Sequence, residues 1–444
     1  MILNILVETP PVWLVFPFVG LLLMIATGPL LFPGIWHHYY KHISVALGIA
    51  VALFYILVQH NIALPLEALA EYISFISLLT ILFVASGGIF IFADIESKPL
   101  TNVLFLFLAA IFTNIIGTTG ASVLFIRPFM RINRYRLKPY HIVFFIFIVS
   151  NIGGLLTPIG DPPLFLGFLK GVPFSWTLIH LILQWLVAIA VLLVIFYFFE
   201  RRNNILDDID VSGHYSNKIL VNGKRNFFWL GLGVALVFLD PNIFEGLPHF
   251  EFHGKKISYL RELLQLSAAF FCYRYSSKNV LKSNHFDFEA MKEVAFLFFG
   301  IFLCMIPALQ SLEAYAQNHK DTLVLTPTFI YWSSGLFSSV LDNAPTYLNV
   351  LALILSNANL SLHNISDVQQ FIHTDGVVLL EAVSVGAVFF GAMTYIGNGP
   401  NFMVKAIAEQ AGVKMPGFGK YIWKYSLPIL LPVLVLVWLL FFAI

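Results

Sequence analysis

Long apolar runs alternate with short polar stretches along this chain, and their spacing predicts membrane-spanning helices. A bilayer core about 30 Å thick needs roughly 20 apolar residues as a helix. No Asp, Glu, Lys or Arg occurs in 99–126, 172–199, 322–341, 382–404 or 425–444. The apolar segments predict ten spans, at 11–32, 43–60, 70–93, 141–169, 175–199, 227–240, 259–273, 293–311, 377–407 and 421–443.

Two further apolar segments, 99–126 and 327–355, have polar residues and Gly or Pro near their centres. We expect each of them to form a re-entrant hairpin of two short helices that enter and leave on one side of the membrane. If both were full spans instead, the acidic loop 61–71 would move to the cytoplasmic side.

The charges of the loops favour the hairpins. Segment 127–140 has five basic residues and no acidic one, which indicates a cytoplasmic loop. Segments 200–226 and 274–292 are also rich in Lys and Arg, whereas 356–376 has only Asp367 and Asp375. With two hairpins, every basic loop lies on the cytoplasmic side and every acidic loop on the outer side, and both termini lie outside.

The composition excludes several classes of protein. Hydrophobic residues make up 59% of the 444 residues and charged residues only 11%, against about 25% charged in globular proteins. A net charge of +1 gives no field that would attract nucleic acid. No phosphate-binding Gly-x-x-x-x-Gly-Lys-Ser/Thr string occurs and the loops are too short for a nucleotide domain, so we do not expect an ATP-driven pump. We expect a transporter and not an enzyme.

An internal repeat indicates a transporter. The string TPIGDPP at 157–163 recurs as TYIGNGP at 394–400, and a second polar break precedes each copy. Asn114 lies 47 residues before Asp161, and Asn343 lies 55 residues before Asn398. The linker between the two breaks is basic in the first half and acidic in the second, as an inverted repeat requires.

The repeat predicts the whole architecture. We expect an all-α polytopic membrane protein with two inverted-topology repeats, about ten transmembrane helices and two re-entrant hairpins with interrupted helices. The first repeat would cover 1–200, a cytoplasmic linker 201–226 and the second repeat 227–444.

The polar breaks are the candidate binding site. Irregular backbone at membrane depth is tolerated only where it lines a cavity or is buried in protein, and an Asp there is a functional candidate by default. Backbone breaks are expected at Gly117, Gly153, Gly160, Pro345, Gly397 and Gly399. The candidate ion or substrate ligands are Asp161, Asp342, Asn343, Asn114, Asn151, Asn398, Thr118 and Thr394.

These residues also have structural interpretations. Asp161 and Asp342 each precede a predicted half-helix, where an aspartate can act as an N-cap. The four asparagines can instead satisfy the local backbone.

The break NIGG–TPIGD at 151–161 resembles that of NhaD-type sodium/proton antiporters and of the wider ion-transporter superfamily, which includes citrate carriers and arsenite permeases. The resemblance covers 111–176 and 335–416 best, and it implies a scaffold, a mobile transport domain, an elevator-like motion and a homodimer. NhaD-type proteins have Asp-Asn upstream of this break, where this chain has Thr113-Asn114. That departure keeps a citrate carrier open as an alternative.

Our primary hypothesis is a sodium/proton antiporter in a bacterial inner membrane. Sodium would bind at Asp161, Asp342, Asn151 and Asn398, and protons would compete for the carboxylates. Sodium-coupled or proton-coupled uptake of citrate or a dicarboxylate is the first alternative, and a channel or a membrane scaffold is the second. We expect no cofactor apart from the transported ions and no nucleic-acid partner.

Overall fold

The computed structural model describes residues 10–203, 215–241, 246–252, 255–257, 259–320, 322–374 and 376–443. Residues 1–9 and 204–214, which belong to the predicted first repeat and linker, lie outside this range, as does Asp375. The helices of the first half are α1 (Phe16–Leu31), α2 (Pro33–Leu57), α3 (Ala63–Gly87), α4 (Pro99–Ile132), α5 (Pro139–Ile148), α6 (Pro162–Leu169) and α7 (Phe174–Arg201). A 3₁₀ turn at Val12–Val15 precedes α1, and another at Ile152–Leu156 separates α5 from α6.

The second half repeats this pattern with shorter helices at its start. Its helices are α8 (Arg225–Val237), α9 (Leu260–Tyr275), α10 (Lys278–Ser283), α11 (Glu289–Asn318), α12 (Pro327–Val340), α13 (Asn343–Asn357), α14 (Ile365–Phe371), α15 (Val377–Phe390), α16 (Gly399–Gln410), α17 (Phe418–Tyr421) and α18 (Leu431–Phe441). A 3₁₀ turn at Gly391–Met393 follows α15, and a π-helix at Ile422–Leu430 joins α17 to α18.

The fold is an all-α polytopic membrane protein, and it differs from the prediction in detail. Eight helices within the described residues are long and apolar enough to cross a membrane, but one of them is α4, which folds back on itself, so seven compare with about ten predicted spans. The predicted spans 227–240 and 259–273 are helices of 13 and 16 residues, shorter than the roughly 20 residues that a span needs. The predicted span 70–93 ends as a helix at Gly87, and a strand follows it.

Two short ribbons are the only sheets among the described residues. Strand β1 (Phe90–Asp94) pairs antiparallel with β2 (Lys218–Asn222), and β3 (Phe250–Phe252) pairs with β4 (Lys255–Ile257). The first ribbon ties the connection between α3 and α4 to the residues just before α8. Hydropathy alone did not predict it, because β1 continues the apolar run of α3.

Helix α4 is the first predicted hairpin, because non-helical backbone at Gly117 divides it into two arms and the N–H of Thr118 donates to the backbone oxygen of Gly160. The rings of Phe105 and Phe129 stack at 5.4 Å, whereas 24 residues of straight helix would separate them by about 36 Å. The amide nitrogen of Asn102 donates to the side-chain oxygen of Asn133 at 2.7 Å. The chain therefore folds back, and it does so at Gly117, whose φ of 77° lies in the left-handed region.

Helices α12 and α13 form the second hairpin. The chain leaves α12 after Val340 and begins α13 at Asn343, so the two arms are joined by two residues. At the open end, the amide nitrogen of Asn357 donates to the backbone oxygen of Leu323 at 3.3 Å. Both predicted hairpins are thus confirmed.

The two hairpins enter from opposite ends of α7. Asn102, at the open end of the first hairpin, donates to Glu200 in the last turn of α7 at 2.6 Å. Beyond the open end of the second hairpin, His363 lines a cavity with Lys170, which lies just before the start of α7. Since 28 residues of helix span about 42 Å, the hairpins point toward each other, as in an inverted repeat.

The core lies between the hairpins. Helix α5 is buried at every position from Tyr140 to Ile148, which is the pattern of a helix surrounded by protein rather than by lipid. Residues Ala382–Phe390 of α15 are buried as well. The two interrupted helices therefore run through the centre of the molecule, with their breaks side by side.

Candidate ion and substrate site

Each half contains one interrupted helix with the same backbone path. In the first half, α5 leads to the 3₁₀ turn and then to α6, which begins with Pro162 and Pro163. In the second half, α15 leads to a 3₁₀ turn and then to α16, which begins with Gly399 and Pro400. Proline fits the first turn of a helix because its missing N–H has no partner there, so both sequences restart a helix at the same point.

Two glycines cross closely within each break. A Cβ atom on Gly154 would lie 2.8 Å from the backbone oxygen of Gly160, and one on Gly160 would overlap that of Gly154. In the second half, a Cβ on Gly397 would lie 2.7 Å from the backbone oxygen of Gly391. Because both pairs are related by the 237-residue offset of the repeat, the break requires glycine at these places in both halves.

A threonine closes each break in the same way. The hydroxyl of Thr157 donates to the backbone oxygen of Asn114 at 2.5 Å and accepts from the backbone N–H of Gly160 at 3.1 Å. The hydroxyl of Thr394 donates to Ser339 at 2.6 Å and accepts from Gly397 at 3.1 Å.

This geometry corrects the alignment of the upstream breaks. Asn114 corresponds to Ser339, and four residues later Thr118 corresponds to Asn343. The sequence alone aligns Asn114 with Asn343, because their residue types match between the two halves. The threonine contacts, which fix the alignment, are not visible in the sequence.

Asp161 is the point at which the two halves meet. Its side chain accepts from the hydroxyl of Thr118 at 2.8 Å, from the amide of Asn343 at 2.5 Å and from the amide of Asn398 at 3.2 Å. Only 1% of the residue is exposed. Its side chain makes no capping hydrogen bond to α6, so the capping interpretation is wrong for Asp161.

Asp342 is a cap. Its side chain accepts from the backbone N–H of Ala344 at 3.0 Å at the start of α13, and the residue is partly exposed. Its charge interacts electrostatically with that of Asp161, without a hydrogen bond between the two carboxylates among the described contacts. The two aspartates that the sequence treated alike therefore have different surroundings.

Asn151 and Asn398 connect the two breaks. The amide nitrogen of Asn398 lies 3.2 Å from the side-chain oxygen of Asn151, and that of Asn151 lies 2.7 Å from the side-chain oxygen of Asn401. All three asparagines are buried. Sequence reasoning missed Asn401, although it lies three residues after Asn398 in a segment without charges.

Other predicted residues shape the backbone around this centre. The amide of Asn114 donates to the backbone oxygen of Gly153 at 2.7 Å and accepts from the N–H of Leu156 at 2.8 Å. A Cβ on Gly153 would approach the Cα of Ala110 to 3.0 Å. Pro345 is buried in the first turn of α13. The side chains of Asn114 and Thr394 therefore bond to the backbone of the breaks, and neither has a hydrogen bond to Asp161 among the described contacts.

The site has a carboxylate and neutral donors. Within the described part of the chain, Asp161 has one hydroxyl and two amides as hydrogen-bond partners, and no three His, Cys, Asp or Glu side chains are grouped as for a metal ion. The side-chain oxygen of Asn343 is buried without a hydrogen-bond partner. A cation at this place would therefore meet the carboxylate of Asp161 as its charged ligand, while the amide nitrogen of Asn343 faces that carboxylate.

Comparisons with known proteins agree with this architecture. The model of a family described as "Putative citrate transport" matches residues 7–442, which is nearly the whole chain. The "46 kDa membrane protein" of Mycobacterium leprae is 26% identical over 278 residues, or 59% of this chain and 58% of that protein. The matched region thus spans little more than half the length of this relative. Together with the apolar helices, these matches show an integral, multi-pass membrane protein of a transport family.

Proposed function

The chain belongs to this citrate transport family, and from that premise we propose a secondary active transporter that couples the movement of a carboxylate such as citrate to sodium ions or protons. The observation that supports it is the buried carboxylate of Asp161, which is bonded by side chains of both halves. A negative charge at this position binds a coupling cation or a proton more readily than an anionic substrate.

The coupling ion would bind first. Asp161 without a bound cation repels a carboxylate substrate, and a sodium ion or a proton removes that repulsion. The substrate would then add to a neutral site, and its release would follow that of the cation. Alternating access of this kind couples the two fluxes without any covalent chemistry.

The substrate would bind at the start of a half-helix. Helix α16 begins at Gly399, which is exposed, and a Cβ there would have no atom within 4 Å. No side chain caps the start of α16, whereas the start of α13 is already capped by the carboxylate of Asp342. The positive end of α16 can therefore hold a carboxylate group beside Asp161 without Lys or Arg.

Sodium/proton exchange without an organic substrate is the second candidate. It is favoured by the two interacting carboxylates, Asp161 and Asp342, and by the neutral character of the side chains that contact Asp161. In this scheme the cation and the proton compete for the same carboxylate, and Asp342 tunes that competition through its charge.

We further propose that the hairpins and interrupted helices move together against α1, α2, α3 and α11 in an elevator-like cycle. The outer helices α1 and α2 have exposed apolar residues such as Leu23, Leu31 and Leu53. These surfaces suit lipid or the second subunit of a homodimer in a bacterial inner membrane.

Flux measurements on purified protein in liposomes separate the two candidates. Internal pH is followed with a dye while an inward gradient of Na⁺, Li⁺ or K⁺ is applied with and without radiolabelled citrate, and Asp161→Asn is the control. Cation-dependent citrate uptake supports the first candidate. A sodium-driven pH change that is independent of citrate supports the second, and neither response in any condition would refute both.

A further inference from the structure

Asn401 has only one possible orientation of its side-chain amide. Its nitrogen lies 2.7 Å from the backbone oxygen of Gly391 and 2.9 Å from that of Thr394. Backbone oxygens only accept hydrogen bonds, so both amide hydrogens are used there. The side-chain oxygen of Asn401 must then face Asn151.

Asn151 is oriented in turn. Its amide nitrogen donates to the oxygen of Asn401 at 2.7 Å and to the backbone oxygen of Ile146 at 2.8 Å. Both of its hydrogens are used as well, and its oxygen accepts from Asn398 at 3.2 Å. A rotation of this amide would leave a buried backbone oxygen without a donor, which is costly.

The third amide, that of Asn398, ends the series at Asp161. Its nitrogen lies 3.1 Å from the backbone oxygen of Ser150 and 3.2 Å from both Asn151 and Asp161. The two amide hydrogens of Asn398 serve these three acceptors, so one hydrogen is shared between Asp161 and a neighbouring acceptor. Because Ser150 and Asn151 both require a donor, the nitrogen of Asn398 stays on this side whether or not Asp161 is charged. Asn343, the other amide on Asp161, differs because its own oxygen is buried without a partner.

We propose that Asn401 is a positioning residue that acts through Asn151 to hold Asn398 as a fixed hydrogen-bond donor to Asp161. This inference rests on the proposed function of Asp161 as the site of the coupling cation. A fixed donor stabilises the cation-free carboxylate and competes with the cation, so it promotes release. The first half has no equivalent, because Leu164 stands at the corresponding position.

The test compares a substitution at Asn401 with a matched control. Asn401→Leu removes the oxygen that orients Asn151, together with the donors to the backbone oxygens of Gly391 and Thr394. Asn284 is also buried and donates to two backbone oxygens, those of Gly87 and Ile89, both at 2.7 Å, away from Asp161. Asn284→Leu therefore reproduces the loss of two buried hydrogen bonds without touching the amide series.

Two measurements are made on each variant. Infrared difference spectra of purified protein, recorded on adding NaCl against choline chloride, report the carboxylate band of Asp161, which is identified by its loss in Asp161→Asn. Proteoliposome flux gives the half-saturating sodium concentration and the maximal rate.

We expect Asn401→Leu to shift the Asp161 band and to lower the half-saturating sodium concentration about threefold to tenfold, as for the weakening rather than the complete loss of one hydrogen bond to a charged group. Asn284→Leu should change only thermal stability. In an Asn398→Ala background, Asn401→Leu should have no further effect on sodium dependence.

An unshifted band in folded Asn401→Leu, or equal effects of Asn401→Leu in the presence and absence of Asn398, would overturn the proposal. A shifted band in a protein that transports neither cations nor citrate would refute the proposed function instead, because the infrared measurement does not depend on flux.

Discussion

The two helix breaks share a backbone and differ in charge. Both have a pair of crossing glycines, a threonine that closes the loop onto the upstream break, and a proline in the first turn of the restarted helix. Where the first break has Asp161, the second has Asn398. The shared glycines, threonine and proline determine the backbone path of the break, whereas the differing residues, Asp161 and Asn398, form the candidate site.

The same division holds at the hairpin tips. Gly117 and Thr118 in the first half correspond to Asp342 and Asn343 in the second, and both Thr118 and Asn343 donate to Asp161. The twofold scaffold thus places three neutral donors around a single carboxylate.

The largest expected effect follows from removing the charge of Asp161 from the first break. Asp161→Asn keeps the size of the side chain but removes its charge, so coupled flux should fall to the level of empty liposomes. Asp342→Asn should keep the cap on α13, since asparagine caps as well as aspartate. Its half-saturating sodium concentration should change only about threefold, as for a partly exposed charge.

Flux and thermal unfolding are measured on both variants in parallel. Asp161 has no capping role that asparagine would have to replace, so both proteins should fold and insert. Normal coupled flux in Asp161→Asn would remove this residue from the site, and a complete loss in Asp342→Asn alone would reverse the assignment.

A second prediction addresses the opposite orientation of the halves. Cysteines introduced at Tyr135 and Asn364, both exposed, should react with an impermeant maleimide from opposite sides of the membrane, with Tyr135→Cys labelled from the cytoplasm. The native Cys272 and Cys304 are buried, so their background reaction should be low. Labelling of both positions from one side would contradict the inverted repeat.

The sequence predicted the parts of the fold that depend on local chemistry. Charge-free runs located most spans, and the Gly-rich and Pro-rich strings at 157–163 and 394–400 located both breaks. The hairpin at Gly117 was predicted from its polar centre, and the ring contact between Phe105 and Phe129 confirms it. Loop charge predicts that the two halves are inverted across the membrane, and the labelling of Tyr135→Cys and of a cysteine at Asn364 tests that prediction.

The sequence did not reveal contacts between distant segments. Asn151 and Asn401 are 250 residues apart. The sequence around Asn401 does not distinguish a residue that binds an ion from one that positions another side chain. The distinction between Asp161 and Asp342 also depends on tertiary contacts, because both precede a half-helix. The β1–β2 ribbon joins residues more than a hundred positions apart, which hydropathy does not detect.

The shared glycine crossings give a third, smaller effect. Gly160→Ala should destabilise the protein by about 3 kcal/mol, because its Cβ would overlap the backbone oxygen of Gly154. Gly397→Ala, whose Cβ would lie 2.7 Å from the oxygen of Gly391, should cost about 2 kcal/mol. Thermal unfolding in detergent measures both values.

Gly399→Ala is the control for these substitutions, since it lies in the second break but has open space around it. It should unfold at the temperature of the unmodified protein. If Gly160→Ala were as stable as Gly399→Ala, the crossing would not be a requirement of the break.

The halves also differ outside the breaks, at the ribbon of β1 and β2. Asp94, at the end of β1, accepts from the hydroxyl of Ser216 at 2.6 Å and from its backbone N–H at 3.0 Å, and it forms an ion pair with Arg134. These contacts join the linker to the loop after the first hairpin.

The pH dependence of this joint gives the smallest effect. The hydrogen bonds from Ser216, and the charge of Arg134 after them, lower the pKa of Asp94 from 3.8 to about 2. Because the pKa in the folded state is below the ordinary value, the stabilisation is complete above about pH 4 and is lost as the pH falls toward 2. Hydrogen exchange of 215–222 should therefore accelerate over this interval, after correction for the intrinsic rate.

Two variants control this measurement. In Asp94→Asn, hydrogen exchange should already be fast at pH 6 and should not change further. Glu96→Gln, which alters an exposed ion pair with Lys98, should behave as the unmodified protein. Parallel loss of protection in the unmodified protein and in Asp94→Asn would show that another group controls the ribbon.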